Sequence, residues 1–100
     1  MADEAYERVY EALRKLGSSS VEIAESLEAR GIQGRVMKER DCPLANYIRV
    51  ELGIESQVEF GSIQIDGTGT FMSTGVLPGV EDFIDDFDGK AYPDLIKEAA

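Results

Sequence analysis

The hydrophobic period of the chain changes twice, and no other feature restricts the fold as much. Up to Leu52 the apolar residues recur at helical spacing. Between Val58 and Val76 they alternate with polar ones, and from Val80 to Phe87 the helical spacing returns. A chain with this pattern folds as α+β: three N-terminal helices, a β-hairpin, then one or two C-terminal helices. Residues 1–100 make a single domain of ordinary size.

The helices carry their own start and stop signals. Tyr6, Val9, Tyr10, Leu13 and Leu16 form one stripe and predict a helix over 3–16, stopped by Gly17. Ser19 and Glu22 form the S-x-x-E capping box, in which each side chain would satisfy a free N–H at the other's position. Ile23, Ala24 and Leu27 then face inward, and Gly31 followed by Ile32 suits a Schellman ending. The third helix is expected to start at Asp41 or Cys42, with Asp41 as its cap, and to end near Leu52. Pro43 fits its first turn, where the missing N–H has no helical partner. Leu44, Ala45, Tyr47, Ile48 and Leu52 supply its apolar positions, which leaves Asn46 and Arg49 pointing outward. Gly53 and Ile54 repeat the ending of the second helix.

Val58 and Phe60 have the opposite parity to Ile63 and Ile65, so a β-bulge or bend is expected at Gly61 and Ser62. Residues 66–69, DGTG, signal a turn, and 70–76 read as a returning strand. Val80, Phe83, Ile84 and Phe87 predict a helix that ends at Gly89. A short last helix begins around Pro93, with Tyr92, Leu95 and Ile96 packing back. Three helices followed by a hairpin is the order of a winged helix-turn-helix. With no tryptophan, the aromatic anchors are expected to be Tyr6, Tyr10, Tyr47, Phe60, Phe71, Phe83, Phe87 and Tyr92.

The chain has no histidine, which excludes serine–histidine and cysteine–histidine nucleophiles and histidine-ligated zinc. One cysteine excludes an internal disulfide and a four-thiolate zinc site within the chain. Cys42 itself stands at a helix start, where the helix dipole and Arg40 would favour a thiolate and Asp41 would oppose it. Without a histidine base, the structural reading, a small apolar residue packed beneath the helix, outweighs a reactive thiol. The acidic run 81–89 does not make an EF-hand. With Gly89 at the invariant glycine, Asp86 and Asp88 fall on ligand positions, but Ile84 and Leu95 occupy the two end positions that require carboxylates. A solvated acidic helix face accounts for it better. No phosphate-binding loop is present, and no cofactor or metal is implied.

Charge is unevenly placed. Residues 1–50 carry nine acids and eight bases, and residues 51–100 carry eleven acids and two bases, which sum to the net −10. The second half repels nucleic acid and anionic membranes. Between Arg30 and Arg49, five bases face two acids, and Arg35, Lys38, Arg40, Asn46 and Arg49 form a candidate interaction surface. The N-terminus lacks the basic start and apolar stretch of a signal peptide, so a cytoplasmic location is expected.

The stretch IAESLEARGIQGRVMKERDCPLANYIRVELG resembles a pattern in small uncharacterised proteins of actinobacteria and their phages: GI-x-G, a polar spacer, then CPLA-x-Y-I/L. LPGVEDFIDDFDGKAYPDLI resembles their closing pattern of LP, V-x-x-F, FDG and YP-x-L. The resemblance covers about half the chain and brings no catalytic residues with it. It implies that Cys42, Pro43, Leu44, Ala45 and Tyr47 act as one unit. Together these readings predict a small acidic, non-enzymatic interaction or regulatory protein that works through protein–protein contacts. The alternative is a winged-helix-like regulator reading DNA with helix 41–52, using Asn46 and Arg49 for base contacts.

Overall fold

A computed structural model describes residues 4–59, 61–67 and 70–97. Three helices, α1 (Glu4–Arg14), α2 (Ser20–Ala29) and α3 (Pro43–Leu52), precede an antiparallel sheet of β1 (Ser56–Glu59), β2 (Ser62–Ile65) and β3 (Thr70–Ser73). A 3-10 turn, Thr74–Val76, leads into α4 (Pro78–Asp88), and a second, Pro93–Leu95, closes the described chain. The fold is α+β in the order expected from the sequence.

Local chemistry explains most boundaries. Ser19 caps α2 by accepting from the Glu22 N–H at 3.2 Å. The return half of the capping box differs from expectation, because the Glu22 carboxylate accepts from the N–H and hydroxyl of Ser18 instead of the Ser19 N–H. Those bonds hold the Glu22 carboxyl below its usual pKa range. The Schellman ending is formed: Ile32 N–H donates to Leu27 O, Gly31 N–H donates to Glu28 O, and Gly31 has φ 71°. At α4 the same pair of bonds runs from Ala91 to Asp86 O and from Lys90 to Phe87 O. The left-handed position there falls on Lys90 (φ 65°) and not on Gly89.

The parity change in the strand region is a turn and not a bulge. Glu59 pairs with Ser62, so β1 and β2 are joined by a tight connection in which Gly61 has φ 98°. Each strand then keeps its own alternation, and Val58, Ile63, Ile65 and Met72 share the buried face. The expected hairpin is therefore a three-stranded meander. The returning strand stops at Ser73, since 74–76 form the 3-10 turn. Phe71, expected as an anchor, is 63% exposed because its neighbour Met72 takes the core position. Phe60 and the turn residues Thr68 and Gly69 lie outside the described residues, as does the first residue of the expected first helix.

The core joins α1 (Val9, Leu13), α2 (Ile23, Leu27), α3 (Leu44, Ile48), the sheet, and α4 (Val80, Phe83, Phe87). α2 packs chiefly on α4, whereas α3 packs on β1 and α1. A helix-turn-helix needs a turn of about three or four residues between its two helices. Residues 30–42 separate α2 from α3, so the order of a winged helix is present without its central turn. Among the described residues, no helix is long and apolar enough to cross a membrane.

Candidate functional site

The expected cationic surface is largely used up by the protein's own acids. Arg35 pairs with Asp41 at 3.3 Å, Arg40 with Asp66 at 2.7 Å and Arg49 with Glu55 at 3.1 Å. Arg49 also donates to Asn46 Oδ1 and to the Arg40 carbonyl. Of the five predicted residues, only Lys38 has no ion pair or hydrogen bond among the described side chains. Asn46 does not point outward. It is 8% exposed, and its amide donates to Gln33 O at 2.7 Å and Asp41 Oδ1 at 3.1 Å. Residues 43–48 of α3 are all buried, so of the two residues expected to read bases Asn46 is packed inside the protein, while Arg49 is exposed but held by Glu55, Asn46 and the Arg40 carbonyl.

Cys42, not Asp41, is the N-cap of α3. Its Sγ accepts from the Ala45 N–H at 3.4 Å, and Pro43 opens the first turn. Burial pushes the thiol up to about 11 from an ordinary 9.0, outweighing the hydrogen bonds from Ala45 and Leu44 that act the other way. The thiolate needed for nucleophilic attack is thus disfavoured. Asp41 instead accepts from Lys97 Nζ at 3.0 Å and from Asn46, and lies beside Arg35. These contacts, Lys97 first, hold its carboxyl below the usual range.

Three sequence stretches meet at this junction. A Cβ on Gly34 would stand 2.3 Å from Pro43 N and 2.4 Å from Cys42 C, so only glycine allows this approach. Gly34 N–H donates to Leu95 O at 2.9 Å, and its carbonyl accepts from Lys97 N–H at 2.7 Å. Gln33 reaches Asp94 O, and Tyr47 donates its hydroxyl to Ala12 O at 2.9 Å. GIQG, DCPLANY and YPDLI therefore form one structural lock.

Beside the lock lies a feature that sequence reasoning missed. A groove of about 210 Å³ opens between the 37–39 loop, β1 and α4. Cys42, Leu44, Val58, Phe83, Ile84 and Phe87 form its apolar floor. Glu39, Glu59 and Asp88 stand on its rim with Lys38 and Met37. Met37 is 76% exposed and holds a left-handed backbone (φ 59°), with its N–H donated to Asp88 Oδ1 at 3.2 Å. Glu39 and Glu59 make no ion pair among the described residues, nor do Asp82 and Asp85 on the outer face of α4. Only the acidic run of α4 signals it in the sequence; the groove is assembled from segments as much as 51 residues apart.

Among the described residues, no three acids or cysteines are grouped so as to hold a metal ion. Asp86, on the acidic run, accepts instead from the Ser20 hydroxyl at 2.7 Å, and that hydroxyl also meets Tyr92 OH. Comparison with protein-family models, with curated proteins and with solved structures finds no match for the chain.

Proposed function

We propose that the protein is a small acidic, non-enzymatic interaction or regulatory protein that acts in the cytoplasm through protein–protein contacts. The observation that carries this reading is the contrast in pairing. Arg35, Arg40 and Arg49 are neutralised within the fold, while among the described residues Glu39 and Glu59 on the rim of the apolar groove, and Asp82 and Asp85 on α4, make no ion pair. A partner gains most by meeting the unpaired acids, since the pairs already made would have to be given up to bind phosphate. The raised thiol pKa and the lack of histidine support a role without nucleophilic chemistry.

Capture of partners from a nuclease-treated lysate tests this. A defined protein that survives nuclease supports the reading. Recovery of DNA instead, with affinity that falls steeply with salt and on Arg49→Ala, would replace it with the DNA-binding alternative.

A further inference from the structure

We infer that the groove takes one large apolar side chain from a basic helical segment of a partner protein, whose lysines or arginines meet Glu39, Glu59 and Asp88. This inference rests on the protein-interaction reading and names the partner's chemistry.

Size comes first. Small-molecule sites run from about 300 to 1,000 Å³, and the groove, at about 210 Å³, falls below that. Apolar cavities of about 150 Å³ accept a benzene-sized group. The space therefore suits a single leucine- or phenylalanine-sized anchor, the scale on which binding energy concentrates in protein interfaces.

Charge selects the partner. The rim carries three acids and one base, a balance of −2, and the exposed Asp85 extends it along α4. A second copy of this chain, itself at −10, would be repelled. A basic segment would be steered in and held in register.

Backbone geometry selects the mode. The edge of β1 beside the groove is occupied, because Val58 N–H donates to Glu39 O at 2.8 Å. A partner cannot add a strand there and must engage through side chains, as a helix laid in a groove does.

Met37 adds an independent observation. A non-glycine residue in the left-handed region is strained, and such strain gathers at functional positions. Here it displays a large, flexible apolar side chain in solvent at the groove's rim, the kind of residue that adaptable binding surfaces use. The Asp88 carboxylate pins the backbone in that conformation.

The test uses the full chain and a synthetic amphipathic peptide of about 18 leucines and lysines, long enough to form a helix. Its controls replace every leucine by serine, or every lysine by glutamate. At about 0.15 M salt, where long-range surface attraction is screened, the leucine–lysine peptide should bind and move the amide resonances of residues 37–39, 58–59 and 84–88. The two controls should not bind. Met37→Asn, which suits the left-handed backbone, should leave the melting temperature unchanged or higher and weaken binding about tenfold or more, as loss of a hot-spot contact does. Glu39→Lys with Glu59→Lys should weaken it similarly, and reversal of Glu4 and Glu7, far from the groove, should not. Equal binding of the serine–lysine peptide, shifts spread over the whole acidic surface, or indifference to Met37→Asn would overturn the inference. Failure of the broader reading shows separately, as no protein partner captured by the wild type. A captured partner that Met37→Asn does not disturb sinks the groove alone.

Discussion

Two regions share Cys42 and treat their polar groups in opposite ways. At the lock, where Gly34 meets the Cys42–Pro43 bond, Asn46, Asp41, Gln33 and Lys97 all have hydrogen-bond partners within the protein, and the backbones leave no room for a methyl group. At the groove beside it, Glu39 and Glu59 make no ion pair among the described residues, and a methionine in the left-handed region sits in solvent. Complete satisfaction is what stability selects, and incomplete satisfaction beside an apolar floor is what binding requires. The lesson is that the stretch most conspicuous in the sequence holds the fold, while the surface beside it is the one we propose for contact.

If the lock is as tight as its distances say, Gly34→Ala should be the most damaging small change in the molecule. The new Cβ meets backbone and proline ring atoms that cannot step aside, and a loss of about 3 kcal/mol is expected. Denaturant titration measures it. A loss under about 0.5 kcal/mol, the range of an ordinary surface change, would break the comparison.

Cys42→Ala comes next, because it removes both a packed atom and a helix cap. A cost of about 1–2 kcal/mol is expected. In the folded protein the thiol should react with iodoacetamide at neutral pH roughly a hundredfold more slowly than a thiol of pKa 9.0, from the upward shift to about 11 alone. Its ionisation has a clear sign: a raised folded value means stability is intact below the unfolded pKa and declines as pH rises toward 11. Fast labelling of the native protein would return Cys42 to the reactive class.

Asp41 probes the electrostatic part of the lock. Its folded pKa is depressed, so its contribution is present above the unfolded pKa, near 4, and is lost as pH falls through the folded value. Asp41→Asn should cost ~1 kcal/mol at neutral pH and flatten the acid limb of the stability profile. An unchanged acid limb would mean that another carboxylate carries it.

The smallest effect belongs to Ser56, whose buried hydroxyl has no partner among the described residues. Ser56→Ala should be neutral or stabilising, within about 0.5 kcal/mol, because an unsatisfied polar atom is removed from the core face of β1.

What the sequence allowed one to read follows from the range of each interaction. The caps at Ser19 and Gly31 and the stripes of α1 and α4 are set by neighbours within a few residues, and they appear as expected apart from the Ser18 contact of Glu22; the short last helix expected at Pro93 is a three-residue 3-10 helix. The parity change at Gly61 and Ser62 reads in the sequence as a β-bulge or bend, because nothing there carries the Asn-Gly or Asp-Gly signature of tight hairpins. Polarity, the only cue a helical wheel gives, puts Asn46 outside, but the Gln33 carbonyl that it donates to at 2.7 Å lies thirteen residues away. The basic stretch looked available for the same reason: Arg40 finds Asp66 across 26 positions, which no local pattern announces.

The central claim is that contact is made through the groove face and not through α3. Its most direct test is quantitative partner capture from nuclease-treated lysate with two variants that differ only in which face they alter. Met37→Asn should lower recovery about tenfold or more, as loss of an interface anchor does, and Arg49→Ala should leave recovery within a factor of about two, as at a near-neutral surface position. Recovery lost on Arg49→Ala and kept on Met37→Asn would contradict the account and move the functional surface to α3.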